Sequence, residues 1–508
     1  MARSVKLLPR QLPNSLALIA TALALSACTT LGPDYEEPTV EWLETWQTNL
    51  YGQAGGVEQQ SELDLRFWWQ VFDDPVLNGL IDVARTENPS LRIAGLRVLE
   101  SRAQLGIADS TRYPQVQQAT GAVTYIDSNQ SDSLTSYQAG FDVGWELDFW
   151  GRFQRSIESA DAAYFASIYN HQDAQVLLNA YVADLYFKYR TALLRIEIAE
   201  NNAALQKRSL EITTSLFESG ESSELDLQQA KTQYLGTLSS IPSLQITATQ
   251  LRNAMAAVLG RPPGDLPELA GVSGPLPTMD PVEIHDIPGK LLMRRPDIRA
   301  AAWQAAAQSA QIGIAEADLY PSIALLGTIG WSDNSISGSP STSTLGVGPG
   351  VSWNLFDYGR IRNNVRVQDA RLQQAIESYQ DSVLQAAREI DDAAISIVKT
   401  RENEDILTQS VAAAERSLEL ATARYRQGYA DFQRVLDAQR AVATQTERQL
   451  INQSSHVSAV IAFYKALGGG WQTTPTAELV PEATRESMES RTNWGDLLSA
   501  PLPVTPEN

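Results

Sequence analysis

Residues 140–149 read GFDVGWELDF and carry the clearest structural signal in the chain. Apolar side chains stand at every second position: Phe141, Val143, Trp145, Leu147 and Phe149. Glycine or acidic residues fill the positions between them, and such alternation predicts a β-strand with one apolar and one polar face. The length and the aromatic residues toward one end also suit a strand that crosses a membrane. A half-buried strand of a soluble domain shows the same alternation, so the pattern alone leaves both interpretations open.

The sequence around this strand occurs in two similar copies in the chain. The segment QLGIAD at 104–109 recurs as QIGIAE at 311–316, and Tyr113-Pro114 recurs as Tyr320-Pro321, both at an offset of 207 residues. Farther along, the offset becomes 208 residues, so that Trp145 matches Trp353. Trp150-Gly151-Arg152 likewise matches Tyr358-Gly359-Arg360. Anchors repeated at a nearly constant offset indicate two copies of one structural unit.

We place the first copy at residues 77–265, a linker at 266–287 and the second copy at 288–470. Each copy predicts a helix, a β-hairpin, a long helix, a turn and a return helix. The predicted strands are 115–125, 137–149, 322–331 and 345–356. The predicted long helices, free of proline and glycine, are 152–219 and 360–427, and the return helices are 224–259 and 432–467.

Each long helix would measure on the order of 100 Å at about 1.5 Å per residue. Gly220 and Gly428 follow the long helices and suit the left-handed residue that ends a helix. Pro242 lies inside the first return helix and is expected to kink it, because it removes a backbone hydrogen bond. An ordinary coiled-coil stalk would show the same helical pattern.

The N-terminus has the architecture of a secretion signal. Basic residues precede an apolar run of about residues 16–25, and Leu25-Ser26-Ala27-Cys28 follows. Residues 1–27 are therefore predicted to be a signal peptide, with lipidation of Cys28, whose surroundings resemble the lipobox of bacterial lipoproteins. Thr29 instead of aspartate next to the cysteine resembles the sorting signal for the outer membrane. The alternative is an ordinary signal peptide that ends near a stray cysteine.

Composition excludes several classes of protein. Acidic residues outnumber basic ones by 60 to 39, and the net charge of −21 disfavours nucleic acid as a partner. A single cysteine rules out intrachain disulfides and cysteine-based metal sites. The three histidines are far apart, and the common phosphate-binding, protease and hydrolase motifs are absent. We therefore expect no enzyme, no metal site and no cofactor.

Two strands per copy give four per chain, too few to close a barrel in lipid. The strands of several chains would have to be pooled, and three chains would leave room for a conduit. Several segments support a family assignment: Cys28 in its lipobox, GPDY at 32–35, WW at 68–69, FDDPVL at 72–77, RRPD at 294–297, LFDYGR at 355–360 and VLDAQR at 435–440. In these segments the chain resembles the TolC family of outer-membrane efflux proteins, and within it the lipidated OprM/NodT type.

This resemblance implies a homotrimer of mixed α and β structure. A twelve-stranded transmembrane β-barrel would continue into an α-helical periplasmic barrel. Residues 28–76 would form a lipidated segment and part of an equatorial region, and residues 471–508 would be equatorial or disordered. The protein would be the outer-membrane exit duct of a Gram-negative tripartite efflux system and would export small molecules passively. Its partners would be a periplasmic adaptor and an inner-membrane pump, commonly of the resistance–nodulation–division class.

Two other functions stay open at this stage. One is a duct that secretes polypeptides, as some relatives of this fold do. The other is a structural envelope lipoprotein that spans no membrane.

The resemblance also suggests a periplasmic aperture near Gly220 and Gly428. Its residues would be Asp437, Tyr425, Arg426, Arg440 and Asp226. Three symmetry-related copies of Asp437 would attract cations, and a link from Arg426 to Asp226 of a neighbouring helix would hold the tip shut. The alternative is a solvated charge pair of little energetic weight. The first copy has Gln229 where the second has Asp437, so only one copy supplies the carboxylate.

The alternation in the predicted strand at 137–149 also indicates which way its polar side chains face. Asp142, Glu146 and Asp148 alternate with the apolar residues and are expected to face the lumen of the barrel.

Overall fold

The computed structural model describes residues 29–40, 42–43, 51, 65–128, 131–278, 292–335 and 340–504. The predicted signal peptide and Cys28 lie outside the described residues. The first copy contains helices α1 and α2, strands β1 and β2, and helices α3 and α4. Their bounds are Pro75–Glu87, Pro89–Ser110, Val116–Ser128, Ser131–Leu147, Arg152–Glu218 and Glu224–Val258. In the second copy, α5, β3, β4, α6 and α7 span Pro296–Ala317, Ser322–Asn334, Thr342–Ser352, Arg360–Arg426 and Phe432–Ala466. The predicted order of helix, hairpin, long helix and return helix is confirmed.

The chain divides into two compact units. The first unit draws on Met1–Pro38, Glu100–Ala166 and Ala301–Tyr379. It contains one antiparallel sheet of four strands in the order β1-β2-β3-β4. The central pairing joins the two copies, because β2 lies beside β3 from Ser136 opposite Asn334 to Leu147 opposite Ile323. Both copies therefore build a single sheet whose two edges are β1 and β4.

The second strand of each hairpin ends earlier than predicted. β2 stops at Leu147 and β4 stops at Ser352, rather than at positions 149 and 356. After Leu147 the chain turns, with the Phe149 N–H donating to the Leu147 carbonyl at 2.9 Å. The predicted strand residues 148–149 and 353–356 therefore belong to the segments that lead into the long helices.

The second unit comprises Thr39–Leu99, Ser167–Ala300 and Gln380–Asn508, and its core is aromatic. Trp68 stacks on Tyr464 with ring centroids 5.3 Å apart, and Phe72 packs against Phe187 at 4.7 Å. Trp69 is 2% exposed. The pair Trp68-Trp69 thus packs in a core built from segments far apart in the chain.

Local capping fixes the helix that follows this aromatic segment. The Asp74 carboxylate accepts the backbone N–H groups of Val76 and Leu77 at 3.0 and 3.2 Å, and Pro75 occupies the first helical position. Asp74 also accepts hydrogen bonds from Tyr186 and Arg190, both at 2.8 Å. One carboxylate therefore caps α1 and binds it to α3.

The structure describes the first return helix and most of the tail. Helix α4 continues across Pro242 from Glu224 to Val258. The described part of the tail contains a helix, α8, at Glu482–Arg491, and the flanking Val480 and Leu498 are each 2% exposed. A β-carbon on Gly95 would meet the Leu479 carbonyl oxygen at 2.2 Å, so glycine permits this close approach of the tail to α2. Apolar burial thus orders residues whose composition favours disorder.

Candidate functional site

The two faces of the sheet differ in chemistry. Residues directly opposite one another in an antiparallel sheet project to the same side, and the observed register groups the apolar side chains on one face. These are Val123, Tyr125, Tyr137, Phe141, Val143, Trp145, Leu325, Ile329, Trp331, Leu345, Val347 and Val351. We call this set the apolar face.

The apolar face is uncovered. Apart from Val143, its side chains have exposed fractions between 37% for Trp145 and 76% for Leu345. A contiguous exposed apolar surface of this kind marks a surface that meets protein or lipid.

The other face is mostly small or polar, with Val116, Ile126, Leu134 and Leu326 as apolar exceptions. Asp142 lies there between Gln118 and Thr328, and Glu146 follows on the same side. The backbone of Glu146 exchanges two hydrogen bonds with the Gln115 side chain, at 2.7 and 3.2 Å. We call this the polar face.

Asp148 has a different position from the one predicted. It lies after the end of β2, and its carboxylate accepts the backbone N–H of Gln154 at 2.8 Å. A carboxylate on an unpaired N–H group stabilises the first turn of a helix. Asp148 therefore caps the start of α3 and does not continue the row of strand side chains.

The turns at the far ends of the long helices are closed by glycine. Gly220 and Gly428 have φ angles of 80° and 76°, a conformation that glycine adopts without steric cost. After each glycine the chain bonds back to the helix: Glu221 N–H donates to the Leu216 carbonyl at 2.8 Å, and Tyr429 N–H to the Arg424 carbonyl at 2.9 Å. The two return helices start directly beyond these turns.

A small core holds this tip together. Ala230, Phe432, Val435 and Leu436 are buried, with Leu210, Leu418, Ala421 and Tyr425 packed against them. The rings of Tyr425 and Phe432 lie 5.1 Å apart. The Tyr425 hydroxyl is buried and has no hydrogen-bond partner among the described residues. Its ring is thus part of the core that holds the tip together.

Asp437 is exposed on α7. Its Oδ1 accepts from Gln433 Nε2 at 2.9 Å and from Arg440 Nη1 at 3.1 Å. The side chains of Asp437 and Arg440 are 59% and 56% exposed, so their Coulomb attraction is screened by water. Arg440 nevertheless places a positive charge beside each carboxylate of the predicted ring.

Asp226 is used within its own helix. It completes a capping box with Ser223, in which Asp226 N–H donates to Ser223 Oγ at 3.2 Å and Ser223 N–H to Asp226 Oδ2 at 3.4 Å. Ser222 Oγ also donates to this carboxylate, at 3.1 Å. Among the described residues, no hydrogen bond or ion pair joins Arg426 to Asp226 within one chain.

The pattern of the sequence did not reveal the polar network around Arg295. This guanidinium is 8% exposed, bridges Asp297 and Glu389 at 2.8 and 3.2 Å, and donates to the Ala466 carbonyl at 2.8 Å. The sequence analysis used the segment RRPD at 294–297 only as a mark of the family resemblance, and it assigned no structural role to Arg295. The network holds the start of α5 to α6 and α7.

None of the helices in the described parts of the chain is both apolar and long enough for a membrane span. Within the same residues, no group of three or more His, Cys, Asp or Glu side chains is arranged to hold a metal ion.

The duplicated unit matches a known family. The model of the family described as "Outer membrane efflux protein" matches residues 80–261 and 287–469, one match for each copy. The chain belongs to this family. The efflux assignment and the localisation in the outer membrane of Gram-negative bacteria are thereby confirmed, and members of the family are channels.

Individual relatives agree over nearly their whole length. The cation efflux system protein CusC of Escherichia coli O6:H1 is 29% identical over 468 residues, which cover 91% of this chain and 99% of CusC. The pyoverdine export outer membrane protein OpmQ of Pseudomonas putida is 29% identical over 479 residues, which cover 92% of this chain and 99% of OpmQ. The solved structure of the outer-membrane channel OprN has a TM-score of 0.76 and 32% identity, covering 87% of this chain and 100% of OprN. The predicted fold class is confirmed by this similarity.

Proposed function

We propose that three copies of this efflux protein pool their sheets into a twelve-stranded barrel and their long helices into a tunnel. The observation that carries the proposal is the exposed apolar face on a sheet with two open edges. Open edges are not tolerated in lipid, and four strands cannot close on themselves. Twelve strands close with space for a conduit, and lipid would cover the apolar face.

The duct would export small molecules passively in a tripartite assembly. CusC is named for cation efflux and OpmQ for pyoverdine export, yet each is 29% identical to this chain. Similar channels thus serve unlike cargo, which supports selection of the cargo by a pump. The partners would be a periplasmic adaptor and an inner-membrane pump of the resistance–nodulation–division class.

The periplasmic tip would form the aperture of the duct. Three copies of Asp437 around a symmetry axis would give a cation-attracting ring, moderated by Arg440. Arg426 of one chain and Asp226 of the next would hold the tip closed, and Tyr425 would pack in the small core beside this contact.

Lipidation of Cys28 would add a second anchor. Replacement by serine is expected to abolish incorporation of radioactive palmitate, since Cys28 is the chain's sole cysteine. Incorporation that persists in Cys28→Ser would refute the assignment. The barrel would still hold the protein in the membrane, so efflux need not be lost.

Conductance tests the duct itself. The purified oligomer in a planar bilayer should give small, discrete single-channel currents that grow when Arg426→Ser and Asp226→Ala relax the tip. A correctly folded oligomer that gives no current in either form would overturn the proposal and favour a structural envelope lipoprotein.

A further inference from the structure

A buried glutamine joins three helices near the tip. Gln439 lies on α7 and is 8% exposed. Its Nε2 donates to Ser209 Oγ on α3 at 2.7 Å, and its Oε1 accepts from Gln233 Nε2 on α4 at 3.3 Å. Both ends of one amide are therefore used, and each end holds a different helix. We call Gln439, Ser209 and Gln233 the amide clamp.

The hydrogen bonds of the amide clamp run in one direction. Gln233 donates to Gln439, and Gln439 donates to Ser209. The Ser209 hydroxyl then donates to the Leu205 carbonyl at 3.2 Å. Ser209 thus uses its hydrogen for its own helix and its oxygen for α7. Because a buried polar group that loses its partner is costly, this chain of hydrogen bonds fixes α7 against α3 and α4.

The clamp and Asp437 lie on opposite sides of the same helical turn. Residues two apart on an α-helix point about 200° away from each other, at about 100° per residue. Gln439 shares the buried side of α7 with Val435 and Leu436, which belong to the small core of the tip. The Asp437 side chain is 59% exposed. A rotation of α7 that takes Gln439 out of the clamp must therefore also move the Asp437 carboxylate.

The duplication shows that the clamp belongs to the copy that supplies this carboxylate. At an offset of 208 residues Ser209 matches Ser417, and both hydroxyls donate to the carbonyl four residues earlier in their own helices. Gln439 matches Lys231, which is exposed on α4, and Ser417 is exposed as well. The copy that lacks the carboxylate therefore also lacks the glutamine of the clamp.

We propose that Gln439 is a positioning residue for Asp437. The amide clamp holds α7 in one rotation at the tip, and this rotation sets how closely the copies of Asp437 approach one another. The inference rests on the proposed aperture and adds the contact that orients its carboxylates. The clamp carries no charge, so its loss changes the position of each carboxylate and leaves the number of charges unchanged.

Ion selectivity tests whether the clamp positions the charge. Gln439→Met keeps a side chain of similar length and removes both hydrogen bonds. In planar bilayers it should lower the permeability ratio of potassium to chloride several-fold and weaken block by lanthanum ions added from the periplasmic side, as Asp437→Ala does. Because Asp437 is intact in this variant, the loss of a charge cannot explain the change. An unchanged permeability ratio in Gln439→Met would overturn the proposal.

The duplicate serine provides a matched control. Ser209→Ala removes the acceptor at the far end of the clamp and should lower the permeability ratio in the same direction as Gln439→Met. Ser417→Ala removes the same hydroxyl from the equivalent position of α6, in the arrangement where Lys231 replaces the glutamine, and should conduct like the parent. Equal permeability ratios in Ser209→Ala and Ser417→Ala would refute the clamp.

Double variants show whether these residues act through one another. Gln439→Met and Ser209→Ala break the same hydrogen bond, so the two together should change selectivity no more than the larger single effect. In an Asp437→Ala background, Gln439→Met should have no further effect, because the carboxylate that it positions is gone. A further loss of selectivity in that background would show that Gln439 acts by another route and would contradict the proposal.

The outcomes also separate this inference from the aperture on which it rests. Size-exclusion chromatography and circular dichroism establish that each variant is a folded oligomer. If Gln439→Met does not assemble, Ser209→Ala, which removes only a hydroxyl, carries the test against Ser417→Ala. Unchanged selectivity in Asp437→Ala contradicts the proposed aperture. A change in Asp437→Ala without one in Ser209→Ala contradicts the clamp alone.

Discussion

Arg155 donates from Nη2 to the Asp34 carboxylate at 2.8 Å, across 121 residues of sequence. The same side chain donates from Nε to the Leu31 carbonyl at 2.9 Å and from Nη2 to the Gly32 carbonyl at 3.1 Å. It is 6% exposed, whereas the Asp34 side chain is 93% exposed. One buried cation on α3 thus fixes the segment that follows Cys28.

Removing this cation should release the segment. Arg155→Ala is expected to leave the Leu31 and Gly32 carbonyls without their donor, and limited proteolysis should then cut within residues 29–40 several-fold faster. Arg152→Ala is the control, because the Arg152 side chain is 44% exposed and its carboxylate partners lie 3.7 and 3.8 Å away. Mass spectrometry of the fragments locates the cut, and equal cutting in both variants would contradict this role.

A glycine contact gives the same segment a second test. A β-carbon on Gly313 would lie 2.4 Å from the Leu31 carbonyl oxygen, so Gly313→Ala should also expose the segment to protease. Gly106→Ala is the duplicate position and the control, since a β-carbon there meets nothing within 4 Å. If protease cuts residues 29–40 no faster in Gly313→Ala than in the parent, the close approach of Gly313 to Leu31 does not hold the segment in place.

The two faces of the sheet should respond differently to a positive charge. Val143→Arg puts the charge toward lipid and should destabilise the folded protein by roughly 2–4 kcal/mol if the site is near the midplane of the bilayer. Asp142→Arg puts it on the polar face and should fold and shift ion selectivity. Unfolding titrations in lipid vesicles measure the stability of both variants, and equal tolerance at the two positions would contradict the assignment of the faces.

The raised pKa of Asp173 leads us to expect that the stability of the folded protein depends on pH. Burial raises its pKa to about 6, Asp297 and Glu389 add to the shift, and Arg295 and Lys465 oppose it. The folded state therefore holds a proton that the unfolded state has released between about pH 4 and 6, and stability falls as the pH rises through that window. Asp173→Asn should stabilise the protein by roughly 2–3 kcal/mol at pH 7.5 and little near pH 4.

The measurement for Asp173 is unfolding of parent and variant at both pH values. Burial, together with the charge of Arg85, lowers the pKa of His171 to about 4. His171 therefore makes stability rise with pH, opposite to Asp173. This contribution is present in both the parent and Asp173→Asn and cancels in their difference. Glu197→Gln, an exposed acid on the same helix, controls for the loss of one charge. A difference between parent and Asp173→Asn that does not change with pH would refute the assignment.

The charges at the tip should set ion selectivity. Asp437→Ala is expected to lower cation selectivity and to relieve block by multivalent cations added from the periplasmic side. Arg440→Ala should raise cation selectivity, because it removes the positive charge 3.1 Å from that carboxylate. Reversal potentials in planar bilayers measure both effects. No change in either variant of an intact oligomer would show that Asp437 does not line the constriction.

Periodicity in the sequence predicted the parts of the fold that depend on local pattern. Alternation at 140–149 assigned Phe141 and Asp142 to opposite faces, as the sheet register shows. Alternation could not reveal that Asp148 caps α3, because a carboxylate at that position fits a strand and a helix cap equally well. The strand also begins earlier than predicted, at Ser131, where polar residues obscure the period.

Long-range contacts were beyond the sequence pattern. Arg155 and Asp34 are both ordinary polar residues until the chain folds and brings them together. Helix α8 in the tail was not predicted for a related reason: its sequence is mostly charged and polar, and Met488 becomes buried only in the folded chain. Local pattern predicts the elements, whereas tertiary packing decides such segments.

Lipid should cover the apolar face of the sheet, and water should contact the polar face. Spin labels at Val347→Cys and Ile329→Cys on the apolar face, and at Gly346→Cys and Thr328→Cys on the polar face, test it in reconstituted vesicles with Cys28→Ser as background. We predict high accessibility to oxygen at positions 347 and 329 and high accessibility to a water-soluble nickel chelate at positions 346 and 328. Equal access of the nickel chelate to all four positions would contradict the claim.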